Sequence, residues 1–137
     1  MLNPIYIYQV KESLVNNLLL SAGLILIITG VVHSVLGEVL IFKKIRNKGV
    51  VPDIEISPLQ VRNFQIIWAT WHLVTVFGFL ISVLIFKMAE YSVIKSEFLL
   101  PITITMFVAS FIVFFATNAR HPGWIGLLTV GLLCWLS

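Results

Sequence analysis

Four long apolar stretches constrain this chain more than any other feature: 15–42, 63–86, 98–117 and 123–136. The first three are long enough to cross about 30 Å of hydrocarbon at a helical rise of about 1.5 Å per residue. The fourth is shorter, and we expect it to thin the bilayer locally or to pair tightly with a neighbouring helix. A secretory signal peptide does not explain the first stretch, because the apolar run is too long and no small-x-small cleavage pattern follows it.

The composition agrees with a lipid-facing surface, since 59% of the residues are hydrophobic and only 11% are charged. A soluble domain carries about a quarter charged residues. We therefore predict an all-α fold, a four-helix transmembrane bundle that forms one integral membrane domain over residues 1–137. The first two helices are expected to extend beyond the membrane. Ser57, Pro58 and Gln60 form a capping signal that predicts the start of the second helix at Pro58.

The distribution of lysine and arginine predicts the orientation, because cytoplasmic ends of membrane helices are enriched in these residues. Six of them flank the first loop and the last turn: Lys43, Lys44, Arg46, Lys48, Arg62 and Arg120. Three flank the opposite ends: Lys11, Lys87 and Lys95. The first loop and the "NARH" turn are therefore expected in the cytoplasm and both termini outside.

The polar residues of the apolar helices converge on this cytoplasmic side. His33 lies about ten residues before Lys43 and His72 about ten residues after Arg62, so both lie roughly 15 Å from the cytoplasmic end of their helices. Glu38 lies between His33 and that end. Arg120 and His121 follow the third apolar stretch and are expected at the same membrane boundary. Ionisable groups inside a bilayer are costly and usually face a partner, which makes His33, Glu38, His72, Arg120 and His121 the candidate site.

Helical periodicity adds a packing interpretation. Glycines recur every seven residues on the first helix, at 23, 30 and 37, and predict a smooth ridge where another helix approaches closely. His33 and Glu38 flank this ridge on opposite sides. On the second helix a polar stripe is formed by Gln65, Trp68, His72 and Thr75. Hydroxyls and small residues on such faces usually serve helix packing, and a neutral histidine bonded across helices is a common structural outcome.

Three short strings carry a resemblance: "HSVLGE" (33–38), "WHLVT" (71–75) and "RHPGW" (120–124). In this combination the chain resembles a group of small four-helix proteins of the bacterial inner membrane. The resemblance implies a multi-pass inner-membrane location but supplies no activity. Separately, "RHPGW" is similar to the R-H-P-x-Y segment that helps to bind S-adenosylmethionine in isoprenylcysteine and phospholipid methyltransferases. Trp124 replaces the usual tyrosine, and those enzymes continue for dozens of residues beyond this segment, so a truncated methyltransferase-like enzyme is the less favoured hypothesis.

Three functional hypotheses follow from the residues. His33 and His72 on adjacent helices suit bis-imidazole ligation of haem b, or a transition-metal site together with Glu38. Alternatively, His72 and Glu38 relay protons and Arg120 holds an anionic lipid head group, in a protein that transports as a homo-oligomer. In the third, the chain is a non-catalytic accessory subunit of a larger membrane complex. Membrane lipid is the expected partner throughout, and no basic platform with interleaved aromatics supports nucleic-acid binding.

Overall fold

The computed structural model describes residues 4–137, which form four α-helices: α1 (Pro4–Leu40), α2 (Val61–Glu90), α3 (Ser92–Ala116) and α4 (Gly123–Leu136). A 3₁₀ turn, Phe42–Ile45, follows α1. The predicted all-α fold with four helices is confirmed. Three of these helices are long and apolar enough to cross a membrane, and α4 is a shorter apolar helix of 14 residues. The chain thus has the helical character of a membrane protein.

The first two helices exceed one bilayer thickness. With 37 and 30 residues, α1 and α2 are about 55 and 45 Å long at the helical rise. Because hydrocarbon is about 30 Å thick, both are long enough to extend beyond it. Their bounds differ from the apolar runs, since α1 begins at Pro4, where proline is tolerated in the first turn.

The predicted start of the second helix is wrong. The capping signal at Ser57 does not start α2, which begins at Val61. A turn closed by the Leu59 N–H and the Ile56 carbonyl, 2.8 Å apart, lies there instead. Asn63 Oδ1 accepts a hydrogen bond from the Gln60 N–H at 3.1 Å and satisfies one exposed donor at the helix start. Between the second and third apolar stretches the chain is almost entirely helical, with Tyr91 alone between α2 and α3.

The contacts of the chain divide it into two compact units. Unit 1 comprises the residues up to Thr29 together with Leu80–Ser137, and unit 2 comprises Gly30–Phe79. A single domain over residues 1–137 stays a prediction. In unit 1 an apolar core is formed by Leu19, Ala22, Leu26, Ile85, Met88, Ile102, Met106, Val130 and Cys134. The turn between α3 and α4 contains two residues of positive φ, Asn118 and Ala119, and Pro122 directly precedes α4.

The predicted glycine ridge of α1 is in close contact with α2. In unit 1 the Phe86 ring lies against Gly23, and in unit 2 Phe79 and Trp71 lie against Gly30 and Gly37. At Gly23 and Gly37 a Cβ atom would overlap the aromatic ring. The absence of a side chain therefore permits the close approach of the two helices within each unit.

Candidate functional site

Unit 2 contains three of the predicted site residues, His33, Glu38 and His72, and it places His72 beside the Glu38 carboxylate. Its Oε1 atom pairs with Arg46 Nη1 at 2.5 Å. Its Oε2 atom accepts a hydrogen bond from Trp68 Nε1 at 3.3 Å and lies 3.6 Å from His72 Nε2. The Arg46 and Glu38 side chains are 16% and 34% exposed, so the pair lies at the edge of the packed region. Arg46 stabilises the negative charge of Glu38 at this position.

The opposite nitrogen of His72 faces α1. Ser34 Oγ lies 2.6 Å from His72 Nδ1, and Thr75 Oγ1 lies 3.5 Å from Ser34 Oγ and 3.4 Å from the Gly30 carbonyl. At 3.6 Å the contact of His72 Nε2 with Glu38 is an ion-pair distance and is longer than a hydrogen bond. In the tautomer with the hydrogen on Nε2, that hydrogen faces the carboxylate, which can only accept. In the neutral imidazole Nδ1 is then the acceptor and the Ser34 hydroxyl is the donor. We call the connected groups Thr75, Ser34, His72 and Glu38 the polar chain.

The polar chain has a physical origin in helical spacing. Ser34 lies four residues before Glu38 and therefore on the same face of α1. His72 and Thr75 are three residues apart on α2 and share a face in the same way. Two further residues of the predicted stripe on α2 also have partners in unit 2. Trp68 donates to Glu38, and Gln65 Nε2 donates to the Pro52 carbonyl in the loop at 3.3 Å.

Aromatic rings enclose the polar chain. The Trp68 ring meets His72 edge-on at a centroid distance of 5.0 Å, and Phe42, fully buried, lies 6.0 Å from the same imidazole. Trp71 Nε1 donates to the His33 carbonyl at 3.0 Å, and its ring stacks on the His33 imidazole at 4.3 Å. Low polarity around His72 and Glu38 strengthens the electrostatic interaction between them.

Arg46 is the main residue that the sequence analysis missed. The sequence analysis counts Arg46 as one of six positive charges near the cytoplasmic ends and does not place it at Glu38. Nε and Nη2 of Arg46 are buried and have no hydrogen-bond partner among the described residues. Its position depends on the 3₁₀ turn and on a loop that folds back, where the Ile45 carbonyl accepts from the N–H groups of Asp53 and Ile54 at 3.2 and 3.3 Å.

Asp53 fixes this loop. Its carboxylate accepts hydrogen bonds from the backbone N–H groups of Asn47 at 2.6 Å and Lys48 at 3.2 Å. The bond from Asn47 has the largest effect and holds the pKa of the Asp53 carboxyl below its ordinary value, although desolvation opposes it. The bond from Lys48 and the Arg46 charge lower this pKa by smaller amounts. A signal for this turn was present in the sequence, because Asn47, Gly49 and Asp53 are residue types that favour turns.

The remaining predicted residues, Arg120 and His121, belong to unit 1. They lie in the turn between α3 and α4, where Arg120 is exposed. His121 Nδ1 accepts a hydrogen bond from the Gly123 N–H at 3.0 Å, and Trp124 Nε1 donates to the Ala119 carbonyl at 3.3 Å. These contacts of the "RHPGW" segment are those of a tight helix–helix turn.

The geometry gives no support to a metal or haem site. Among residues 4–137, no group of three or more His, Cys, Asp and Glu side chains is placed to hold a metal ion. Both ring nitrogens of His72 face Ser34 or Glu38, and the face of His33 is covered by the Trp71 indole. A flat porphyrin between these imidazoles would have to displace that indole.

The order serine–histidine–carboxylate is also found in hydrolytic triads, but the surroundings differ. Ser34 lies inside α1, where backbone N–H groups are bound to the carbonyls of the preceding turn. They cannot serve as an oxyanion hole, which a serine nucleophile requires. The arrangement is therefore suited to proton transfer rather than to acyl transfer.

Fold and site together define the class: an all-α protein of membrane character in which a histidine on one helix lies between a serine and a glutamate on another. No family model, curated protein or solved structure matches the chain. The two resemblances given by its short strings stay predictions.

Proposed function

We propose that this chain is a proton-conducting, multi-pass protein of the bacterial inner membrane, with both termini on the outer side. The orientation rests on the excess of lysine and arginine at the first loop and the last turn. On this orientation Glu38 and Arg46 lie towards the cytoplasm, and the polar chain leads from there into the membrane half of unit 2.

The single observation that carries the proposal is the position of His72 between a hydroxyl and a carboxylate, 2.6 Å from Ser34 Oγ and 3.6 Å from Glu38 Oε2. Histidine exchanges its proton near physiological pH and presents two nitrogens on opposite sides of the ring. When Nδ1 takes the proton of Ser34 Oγ, Nε2 releases its proton to the Glu38 carboxylate. Ser34 then regains a proton from Thr75 Oγ1, and Thr75 regains one from water at the far end of the polar chain. Proton transfer through such a chain requires donors and acceptors in sequence.

A proton is also the ligand that suits the packing of unit 2. The side chains of the polar chain are in contact with one another and with aromatic rings, so they are suited to passing a proton and not to enclosing a larger molecule. For the same reason a proton path needs no second subunit to provide volume.

Proton flux into liposomes tests the proposal. The purified protein is reconstituted with the pH-sensitive dye pyranine inside, and a potassium gradient with valinomycin drives protons inward. Wild-type vesicles should acidify faster than protein-free vesicles. His72→Gln, which keeps the size and hydrogen bonding of the side chain, should slow the protein-dependent rate on the order of 100-fold, as for the loss of a general acid–base group.

A matched pair of threonines on α2 controls for folding. Thr75 belongs to the polar chain, whereas Thr70 bonds the carbonyls of Ile66 and Ile67 in its own helix. Thr75→Ala should slow the flux about fivefold, the effect of one hydrogen bond of roughly 1 kcal/mol, and Thr70→Ala should leave it unchanged. Wild-type flux equal to that of protein-free vesicles, or equal flux for His72→Gln and wild type, contradicts the proposal.

A further inference from the structure

The 3₁₀ turn after α1 has buried apolar side chains and exposed lysines. Phe42 and Ile45 are three residues apart in the 3₁₀ turn, so they share one face, and both are buried. Lys43 and Lys44 lie between them and are exposed. The turn therefore has one face packed in unit 2 and another that carries two positive charges.

The following loop adds a third lysine and an apolar tip. The backbone of Lys48 is held by Asp53, and Gly49 adopts a positive φ of 81°. Beyond it Val50 is 68% exposed and Val51 41% exposed. Residues 43–51 thus contain three exposed lysines and two exposed valines. We call these residues, Lys43, Lys44, Lys48, Val50 and Val51, the lysine–valine surface.

The position of this surface relates it to the membrane. The apolar stretch 15–42 ends directly before Lys43 and Lys44, in a helical segment that is long and apolar enough to cross a membrane. At that depth the phosphates of the lipid head groups lie beside the protein, and lysine and arginine clusters directly after a membrane helix attract anionic lipids. Exposed aliphatic side chains gain free energy by entering the boundary between head groups and acyl chains.

We propose that the lysine–valine surface binds the head groups of anionic phospholipids, with the three ammonium groups on phosphate oxygens and the two valines in the membrane interface. The charge of the segment favours this partner, because the Asp53 oxygens are occupied by backbone N–H groups rather than by lysine side chains. Continuity with the span of α1 favours a lipid over an acidic protein. The proposal is independent of proton conduction and rests only on the membrane location of α1.

Native mass spectrometry of the full chain from nanodiscs tests it. The nanodiscs contain equal amounts of phosphatidylglycerol and phosphatidylcholine, and the ratio of the two lipids retained by the protein is measured. Wild type should retain phosphatidylglycerol in excess. A Lys43→Gln, Lys44→Gln double variant should reduce that ratio about 25-fold, about fivefold for each lysine.

A second double variant, Lys11→Gln with Lys87→Gln, removes the same charge from unit 1 and should keep the wild-type ratio. Sodium phosphate should release the bound lipid no more than sodium chloride of equal ionic strength, since the ligand is a lipid and not free phosphate. An equal ratio for wild type and the Lys43, Lys44 variant overturns the proposal. Equal losses in the two double variants, or specific displacement by phosphate, also overturn it.

The valines provide a measurement that does not depend on charge. In a Cys134→Ala background, Val50→Cys is labelled with an environment-sensitive nitrobenzoxadiazole dye in phosphatidylglycerol nanodiscs. The emission should shift to the blue relative to the dye in water and should be quenched by lipids that carry a quencher at the head group. Emission equal to that of the dye in water contradicts insertion of the loop tip.

Discussion

The two units treat their buried polar groups differently. In unit 1 the buried hydroxyls donate to backbone carbonyls: Ser82 to Gly23 at 2.7 Å, Ser110 to Trp124 at 2.8 Å and Thr103 to Leu99 at 2.8 Å. Unit 2 also has such bonds, from Thr75, Gln65 and Trp71 to backbone carbonyls. It differs in a partly buried group of Glu38, Arg46 and His72, which carry or can carry a charge and contact one another through their side chains.

This difference separates packing from chemistry. A hydroxyl that donates to a backbone carbonyl has an acceptor that does not change its protonation state. Such a hydrogen bond stabilises a helix or the packing of two helices and does not move a proton. A histidine between a hydroxyl and a carboxylate can change its proton and its partners. Unit 1 therefore has the properties of a packed helical core, and unit 2 has those of a functional site.

The largest expected effect is the loss of the Glu38 charge. Glu38→Gln keeps the volume but leaves the Arg46 guanidinium without its ion partner. Breaking a buried pair costs about 3–5 kcal/mol, and we expect about 2 kcal/mol here because Glu38 is partly exposed. The apparent unfolding temperature in detergent should fall, and hydrogen–deuterium exchange should rise within residues 30–79 and not in the core of unit 1.

A double variant sharpens this prediction. Adding Arg46→Met removes the unpaired charge, so Glu38→Gln with Arg46→Met should be more stable than Glu38→Gln alone. If the two substitutions destabilise additively, the ion pair does not couple α1 to the loop after it. That result would contradict the proposed difference between the two units.

The next effect compares two glycines of one ridge. Gly37→Ala places a Cβ against the Trp71 indole, and Gly23→Ala places one against the Phe86 ring. Each should destabilise by about 1–2 kcal/mol, since overpacking forces rings off their positions. Only Gly37→Ala should also slow proton flux, because displacement of Trp71 disturbs Phe42, whose ring lies 5.8 Å from Trp71 and 6.0 Å from His72.

The flux measurement decides between the two outcomes. Equal slowing by both alanine variants, at matched protein content in the vesicles, contradicts the assignment of packing to unit 1 and chemistry to unit 2. If Gly37→Ala is not expressed, Gly30→Ala is the milder replacement. Its new Cβ lies 3.1 Å from the nearest ring atom of Phe79, so a small shift of that ring is enough.

Much of the fold was predictable because a helix that crosses a membrane needs a long run of apolar residues, which is visible in the sequence. Apolar stretches located all four helices, and seven-residue spacing located the glycine contacts. The ends of the helices were harder to predict. The polar segment "KMAEYSVIKSE" is part of α2 and α3, which therefore extend beyond their apolar stretches. A helix that leaves the membrane keeps its backbone hydrogen bonds, whereas its hydropathy changes.

The site was predictable only where it lies on regular helices. Spacing of three and four residues placed His72 and Thr75 on one stripe, and the same rule joins Ser34 to Glu38. Arg46 was not predictable in this way, because it follows a 3₁₀ turn, and its direction is set by the hydrogen bonds of Ile45 and Asp53. Periodicity carries no information about a side chain once the chain leaves the helix.

The smallest effect concerns the loop that positions Arg46. The hydrogen bond from the Asn47 N–H lowers the pKa of Asp53, so the folded state binds fewer protons there than the unfolded state. Stability from this contact is therefore complete above the ordinary pKa of aspartate, about 3.9, and is lost as the pH falls through the lower folded-state value. Wild type should unfold at a slightly higher temperature than Asp53→Asn at neutral pH, and the two should converge in acid.

Glu55→Gln is the matched control, because Glu55 is an exposed carboxylate in the same loop. Its difference from wild type should stay small and change little with pH. A gap between wild type and Asp53→Asn that widens on acidification contradicts the hydrogen-bonded role of the carboxylate. If the gap closes and proton flux falls with it, the loop controls the position of Arg46 and hence of Glu38, and the functional unit includes residues outside the two helices.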